Sequence, residues 1–204
     1  MRLFILGATG GIGRHLVRIG LERDHEVTAY VRSPEKIPQQ AGGLKVVRGD
    51  VFNAPQMAES MAGHAIVLSA FGPTTIRSSR LRRSFGHELS SALRQSSVHR
   101  VQLVSAAFLF RDVGLLGALL KPTLFRQMIP DMAGMEREIE NDALEWTIIR
   151  PPRLTNGPAT HKYRTADGEL PKAGSVISRA DVAEFMIREA ERPEHTRQIV
   201  GVAE

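Results

Sequence analysis

The 204-residue sequence contains no cysteine, one tryptophan and only two tyrosines. The lack of cysteine excludes disulfides, thiolate metal sites and cysteine nucleophiles. The chain also lacks internal repeats, low-complexity segments and an apolar run long enough to cross a membrane, so we expect no membrane partner. No basic segment followed by a long apolar one opens the chain, which predicts a cytoplasmic protein without a secretion signal.

What remains is the composition of an ordinary globular protein, with 42% hydrophobic and 24% charged residues. The net charge of +5 is spread over many segments, and no recognised nucleic-acid motif accompanies it. We therefore expect no nucleic-acid partner. The histidines are isolated from one another without metal-ligand spacing, which predicts no metal site; they are His15, His25, His64, His87, His99, His161 and His195.

Segments with strand and helix patterns alternate along the chain. We predict strands at Arg2–Leu6, Glu26–Val31, Lys45–Arg48, Ala65–Ala70, Val101–Ser105, Trp146–Arg150 and Gln198–Val202. We predict helices at Gly11–Arg23, Pro55–Met61, Ser79–Gln95, Met132–Asp142 and Ala180–Glu191. Strands that alternate with helices indicate an α/β fold, a single doubly wound parallel sheet (Rossmann fold) with helices on both faces. Because no linker divides the chain, residues 1–204 are expected to form one domain.

A glycine-rich turn lies between the first predicted strand and the first predicted helix. Gly7, Gly10 and Gly13 are spaced three apart. Gly7 would allow a tight turn, Gly10 a close approach of the backbone to a pyrophosphate, and Gly13 close packing of helix on strand. Together with the helix N-terminus, this order of elements predicts a dinucleotide site. The alternative is a tight surface loop.

The end of the second predicted strand carries no acid, and Arg32 follows it directly. An acid at this position would bind the ribose 2′-hydroxyl, whereas a basic residue accommodates a 2′-phosphate. Arg32, with Ser33 and Lys36, therefore favours NADP(H) over NAD(H). Glu35 argues weakly the other way, and a solvated Arg32 is the alternative.

Two later strand ends carry further candidate cofactor contacts. Asp50 is placed to accept a hydrogen bond from the adenine amino group, and Val51 to pack on the ring; the alternative is that Asp50 caps the following turn. The fourth strand ends with small residues around one aromatic, which would let the backbone run beside the cofactor ribose; they are Ala70, Phe71 and Gly72. Any strand-to-loop exit could look similar.

The segment 106–130 does not fit the alternation of strands and helices. It is apolar but interrupted by glycine and proline, and it leaves the sheet at the carboxyl edge, where ligands bind. We predict an apolar flap over the active site, with a buried loop and a dimer contact as alternatives.

With the glycine turn, Val31-Arg32, Gly49-Asp50-Val51 and the segment 145–155, the chain resembles atypical short-chain dehydrogenase/reductases. It is most similar to the flavin reductase/biliverdin-IXβ reductase group. The resemblance is near full length and includes residues 105–110, the Pro151-Pro152 pair and residues 176–186. It implies a single Rossmann domain that binds NADP(H) and passes hydride to a flavin, a quinone-like acceptor or a linear tetrapyrrole.

The resemblance also implies roles for individual residues. The pyrophosphate contacts would come from the glycine turn, namely Gly7, Thr9, Gly10, Ile12 and Gly13, with Gly11 between them. Arg32 and Lys36 would hold the 2′-phosphate, and Asp50 and Val51 the adenine. Contacts near the nicotinamide would come from the exit of the sixth strand, namely Pro151, Pro152, Arg153 and Leu154. Apart from the resemblance, Ser105 and Ala106 after the fifth strand are further candidate cofactor contacts, with Ser105 placed to bond the nicotinamide amide or the acceptor.

The sequence departs from short-chain dehydrogenases at the proton relay. Those enzymes use a Tyr-x-x-x-Lys pair, whereas here Tyr30 lies inside a predicted strand and Asp167 occupies the lysine position after Tyr163. Ala106, Met132 and Arg153 also replace a serine and histidines of the biliverdin-reducing relatives, which argues against tetrapyrrole chemistry. Isomerase or epimerase chemistry would need the missing pair.

Hydride transfer to a flavin, quinone or related conjugated acceptor tolerates a missing acid, because the reduced acceptor can take its proton from water. FMN would then be a substrate rather than a prosthetic group. Phe108, Phe110 and Met132 are candidate contacts for this small-molecule acceptor, with core packing as the alternative. Ser105 and Arg153 are candidate catalytic residues, with a local backbone bond and a salt bridge as their alternatives. A catalytically silent NADP(H)-binding redox sensor or regulatory protein is the competing hypothesis, and we expect a monomer or weak homodimer.

Overall fold

The computed structural model describes residues 1–37, 42–72, 80–110, 128–140 and 143–204. Ten strands are described: β1 (Arg2–Leu6), β2 (Glu26–Val31), β3 (Leu44–Arg48), β4 (Ile66–Ser69), β5 (Arg100–Val104), β6 (Glu145–Arg150), β7 (Arg153–Thr155), β8 (Arg164–Asp167), β9 (Val176–Ser178) and β10 (Gln198–Ala203). The α-helices are α1 (Gly11–Glu22), α2 (Ala54–Met61), α3 (Leu81–Gln95), α4 (Met128–Ile139) and α5 (Arg179–Glu191). Short 3₁₀ turns occupy Pro34–Lys36 and Ala107–Leu109.

Eight strands form one sheet in the order β3-β2-β1-β4-β5-β6-β10-β8. All neighbours pair in parallel except β8, which pairs antiparallel with β10. A second, two-stranded parallel sheet joins β7 to β9. The strand order reverses beside β1, so the carboxyl ends of β1 and β4 border the crevice in which such sheets bind ligands. The predicted doubly wound fold is confirmed.

The helices cover both faces of the sheet. On one face α1 and α5 pack side by side over a core that includes Leu16 and Phe185. On the other face α2, α3 and α4 cover a core that includes Met57, Phe85 and Ile139. Helix α1 forms as its pattern predicts, because its apolar stripe is buried while Arg18 and Glu22 pair on the exposed side.

Three strands were not predicted. The strand β8 is polar and largely exposed, and β7 and β9 have only three residues each, so none has a readable apolar pattern. Helix α4 runs over Met128–Ile139 rather than the predicted Met132–Asp142, and residues 141–142 lie outside the described residues. The predicted start of the third helix at Ser79 and residues 111–127 of the predicted flap also lie outside them.

Candidate nucleotide-binding site

The glycine turn between β1 and α1 is shaped by close backbone contacts. Gly7 has a φ of +78°, and a Cβ atom there would lie 2.6 Å from the carbonyl oxygen of Ala70 at the end of β4. A Cβ atom on Gly13 would lie 2.0 Å from the carbonyl oxygen of Gly7. Both positions therefore require glycine, which explains two of the three glycines in the motif.

The N–H groups at the start of α1 have no side-chain cap. Gly10 is the exposed N-cap residue, no side chain caps the helix, and its first turn contains no acid. Among the described residues, a Cβ atom on Gly10 would meet only the Gly7 carbonyl oxygen, at 3.2 Å, so none of these residues blocks the approach of an anion to Gly10. An uncapped helix N-terminus beside a glycine turn fits a diphosphate, both in shape and in charge.

We call the glycine turn and the N-terminus of α1 together the cradle. The remaining residues of the turn differ in their surroundings. Thr9 is half-buried, and its carbonyl oxygen accepts a hydrogen bond from Arg14 Nε at 3.1 Å. The Ile12 side chain is 7% exposed and lies in the core, so only its backbone is available to a ligand. Gly11 is exposed and lies against the side chain of Arg179, a residue that the sequence analysis did not single out.

The cations predicted to bind the 2′-phosphate follow β2. Arg32 and Lys36 are exposed, Ser33 is half-buried, and neither cation has a carboxylate partner in the described part of the chain. Lys36 lines a cavity of about 330 Å³ together with Arg14. Arg14 was not among the predicted contacts, because its place on the polar face of α1 is equally typical of a solvated arginine.

In the turn after β3, Asp50 caps the turn, which is the alternative role that the sequence left open for it. Asp50 Oδ1 accepts a hydrogen bond from the Phe52 N–H at 3.0 Å, so its carboxylate caps the turn. Val51 is half-buried against the core. Tyr30 is buried and donates to the Asp50 carbonyl oxygen at 3.2 Å. The carboxylate of Asp50 is exposed, so a bond to adenine through Oδ2 stays a prediction.

The end of β4 runs directly beneath the glycine turn. The Ala70 N–H donates to the Leu6 carbonyl oxygen at 3.0 Å, which continues the pairing of β4 with β1. The Phe71 ring packs on Phe85 of α3, with ring centroids 4.3 Å apart. Gly72 is exposed, and a Cβ atom there would meet no atom of the described residues within 4 Å. Among these residues, none fills the predicted ribose position beside Gly72.

The ends of β5 and β6 are tied together. The Ser105 N–H donates to the Ile149 carbonyl oxygen at 2.7 Å, and the Ala107 N–H donates to the Pro151 carbonyl oxygen at 2.9 Å. The Ser105 side chain is 7% exposed, and its hydroxyl has no hydrogen-bond partner within the described ranges. An orphaned buried hydroxyl at the same carboxyl edge of the sheet as the glycine turn fits a polar group of a bound nicotinamide or acceptor. Ala106 is half-buried beside it.

The predicted acceptor residues differ in their surroundings. Phe110 is 3% exposed, and the Arg150 guanidinium lies 4.8 Å from its ring centroid. Arg150 in turn donates to both carboxylate oxygens of buried Glu136, at 3.0 and 2.6 Å. Met132 is 6% exposed, and Phe108 is half-buried. Packing is thus what the structure shows for Phe110 and Met132, and an acceptor contact stays a prediction.

The chain after the proline pair returns to the start of α5. Pro151 is buried, while Pro152 and Leu154 are half-buried. Arg153 is exposed on β7 and has no carboxylate partner among the residues that the structure describes. The predicted alternative of a structural salt bridge is therefore not observed within those residues. Because β7 pairs with β9, Arg153 lies near the strand that precedes α5.

Both tyrosines are engaged in internal hydrogen bonds. The Tyr30 hydroxyl also lies 3.1 Å from Gln56 Oε1, an alternative acceptor for its single proton, and Tyr163 donates to Glu184 on α5. Burial, together with the hydrogen bond to Glu184 and its negative charge, raises the pKa of the Tyr163 phenol far above its ordinary value. Neither phenol is suited to exchange a proton with a substrate at neutral pH.

No described helix is both long and apolar enough to span a membrane. No group of three or more histidine, aspartate or glutamate side chains is arranged to hold a metal ion within the same residues.

Comparison with known proteins agrees with this geometry. A family model described as NAD(P)H-binding matches residues 7–193, so the chain belongs to this NAD(P)H-binding family. YwnB of Bacillus subtilis (strain 168), an uncharacterized protein, is 28% identical over 209 residues that cover 97% of this chain and 96% of YwnB.

Solved structures show the same fold. A short-chain dehydrogenase/reductase from Veillonella parvula DSM 2008, in complex with NADP, superposes with a TM-score of 0.82 at 22% identity, covering 100% of this chain and 94% of the other. A candidate NADH-flavin reductase from Streptococcus pneumoniae TIGR4 gives a TM-score of 0.83 at 24% identity, covering 100% and 99% of the two chains. The predicted NAD(P)-binding Rossmann class is confirmed.

Proposed function

We propose that the protein is an NADPH-dependent reductase that transfers hydride from the nicotinamide to a flavin, a quinone or a related conjugated acceptor. The observation that carries the proposal is the combination of a glycine turn at Gly7, Gly10 and Gly13 after β1 with a buried Ser105 hydroxyl that has no partner among the described residues. Ser105 follows β5, two strands from β1 at the same carboxyl edge of the sheet. The cradle fits a diphosphate, and the hydroxyl fits a polar group in the nicotinamide region of such a cofactor.

The preference for NADPH rests on charge. Arg32 and Lys36 are exposed cations without carboxylate partners among the described residues, and Arg14 shares a cavity with Lys36. A 2′-phosphate adds two negative charges that such cations can bind, whereas a 2′-hydroxyl would gain little from them. The NADP in the Veillonella parvula structure is consistent with this preference.

The choice of acceptor rests on the missing proton relay. A bound reduced nicotinamide supplies a hydride, that is, two electrons and one proton. Ser105 would orient a polar group beside it, and Phe108 would help to exclude water. No side chain needs to deliver the second proton, because a flavin or quinone that has accepted hydride can take that proton from solvent. The engagement of Tyr30 and Tyr163 in internal bonds supports such an acceptor, as does the likeness to the candidate NADH-flavin reductase.

The direct test is the loss of NADPH absorbance when FMN, riboflavin or a simple quinone is added to the purified protein. We expect turnover with at least one of these acceptors. Gly10→Val is the matched control, because it places a branched side chain in the cradle at a position where a Cβ meets only one atom, at 3.2 Å; it should fold but not turn over.

The competing hypothesis, a catalytically silent NADP(H)-binding sensor or regulator, predicts a different result. If the unmodified protein binds NADPH tightly but no acceptor oxidises it, the sensor or regulator hypothesis replaces the reductase hypothesis. If the protein binds no nucleotide, both hypotheses are rejected.

A further inference from the structure

Arg179 is the first residue of α5, and its side chain packs against the start of α1 at Gly11. A Cβ atom on Gly11 would lie 2.5 Å from Arg179 Cδ and 2.8 Å from Arg179 Nε. The guanidinium group can occupy this place only because residue 11 has no side chain. Gly11 thus makes room for the side chain of a cation, whereas Gly7 and Gly13 make room for backbone.

The guanidinium is held in position by the chain that follows β7. Arg179 Nη1 donates to Asn156 Oδ1 at 2.7 Å and to the Thr155 carbonyl oxygen at 3.1 Å. These bonds use one of the three guanidinium nitrogens. Nε and Nη2 have no partner within the described ranges, so two donor groups remain for a ligand.

Within the described residues, nothing neutralises the charge of Arg179. No carboxylate lies within ion-pair distance of it in the described part of the chain, whereas Arg23 and Arg150 both have carboxylate partners. Asp181, two residues further on, uses its carboxylate oxygens for Thr160, His161 and Ser178. In addition, Arg179 lies at the N-termini of α1 and α5, where the helix dipoles disfavour a cation.

We propose that Arg179 binds the phosphate on the nicotinamide side of the cofactor diphosphate, an inference that rests on the proposed NADP(H) site. An anion in the cradle would remove the unfavourable charge at both helix N-termini and accept from the free Nε and Nη2 groups. The order of strands in the sheet indicates that this phosphate is the one on the nicotinamide side. Arg32 and Asp50 follow β2 and β3 on one side of β1, whereas the bonds that hold Arg179 come from the chain after β6, on the other side.

The test compares two ligands in equilibrium binding without any acceptor. NADPH contains the whole diphosphate, whereas adenosine 2′,5′-bisphosphate lacks the nicotinamide half. We expect Arg179→Gln to weaken NADPH binding by about tenfold or more and to change binding of the bisphosphate by less than about twofold. Arg179→Lys should restore part of the NADPH affinity. Arg192→Gln, at the exposed far end of the same helix, is the control and should leave both affinities unchanged.

Unchanged NADPH affinity in Arg179→Gln would overturn the inference while leaving the proposed function in place. Equal losses of affinity for both ligands would also overturn it, because they would indicate a structural role for Arg179. Failure of the unmodified protein to bind either ligand would instead remove the proposed function, and the inference with it.

Gly11→Ala gives a second, independent readout. Its methyl group would displace the Arg179 side chain, which can move without a change in the backbone. We expect this variant to lose NADPH affinity, and to cause no further loss when it is combined with Arg179→Gln. Additive losses from the two substitutions would contradict the proposal.

Discussion

The carbonyl oxygen of Gly7 and the Cα atom of Gly13 are so close that no side chain fits between them. A Cβ atom on Gly13 would lie 2.0 Å from that oxygen and 2.7 Å from the Cα atom of Ala8. Both neighbours are backbone atoms and cannot rotate away. The first turn of α1 is therefore pressed onto the end of β1, and this contact fixes where the helix N-terminus points.

The first prediction concerns this contact. Gly13→Ala should destabilise the protein by about 1–3 kcal/mol, because the backbone must shift to admit the methyl group, and it should weaken NADPH binding as the cradle widens. Chemical denaturation and equilibrium binding measure the two effects. Gly42→Ala, before β3 and outside the predicted site, is the matched control, since its Cβ would meet no atom of the described residues within 4 Å. Equal stability of the two variants would contradict the prediction.

The second prediction concerns cofactor selectivity. Arg32→Ala should reduce NADPH affinity by about tenfold or more and leave NADH affinity nearly unchanged, because only the 2′-phosphate loses its partner. Parallel titrations with NADPH and NADH measure this ratio. Lys45→Ala removes an exposed cation from β3 and should not change it. An unaltered ratio in Arg32→Ala would exclude Arg32 from this role.

The third prediction concerns the ion pair beside the candidate acceptor region. Glu136 is 2% exposed and accepts both hydrogen bonds of Arg150. Glu136→Gln should destabilise the protein by about 3 kcal/mol, because it leaves the Arg150 charge partly buried without its partner. Denaturant unfolding measures the loss. The control is Glu138→Gln on the same helix, whose contact with exposed Arg83 is 3.9 Å long and should be worth less than about 1 kcal/mol.

The fourth prediction concerns pH. Burial alone would raise the pKa of Asp181, but hydrogen bonds from the Thr160 and His161 N–H groups and the Ser178 hydroxyl hold it below its ordinary value of 3.8. A pKa that is lower in the folded state stabilises the protein above the ordinary value, and this stabilisation is lost as the pH falls through the folded-state pKa.

Asp181→Asn should therefore be less stable than the unmodified protein at neutral pH, and the difference should shrink below about pH 4. Urea unfolding from neutral pH to about pH 3 measures this convergence. Asp24→Asn removes an exposed carboxylate after α1 and serves as the control. A difference that stays constant with pH would contradict the assignment.

The fifth prediction concerns the absent proton relay. Tyr163 donates to Glu184, and the pKa of its phenol is raised by burial and by that carboxylate. Tyr163→Phe should lower stability by about 1 kcal/mol through the lost hydrogen bond and leave the rate of NADPH oxidation unchanged. A fall in this rate, with NADPH affinity preserved, would instead assign the phenol to the chemistry.

The fold was predictable because its signals are local and strong. Buried parallel strands appear as continuous apolar runs, and α1 shows its apolar stripe at Ile12, Leu16 and Ile19. The strand β8 escaped prediction because its sequence Arg-Thr-Ala-Asp is polar. It is defined by pairing with β10, a partner more than 30 residues away in sequence.

The cradle was predictable for the same reason, whereas its surroundings were not. The turn at Gly7 and Gly13 depends on neighbours a few residues away, but the contact between Gly11 and Arg179 joins the two ends of the chain. The turn cap at Asp50 was foreseen only as an alternative, because the same carboxylate can bind an N–H or a ligand. Sequence patterns identify residue types at an edge of a sheet; packing decides which of them remain available.

The polar strand β8 has a consequence for association. It forms one lateral boundary of the sheet, and its exposed Arg164 and Asp167 present opposite charges where a strand from another copy would need to add. Docking there would strip water from both charges. This boundary thus disfavours the addition of a strand from another copy beside β8.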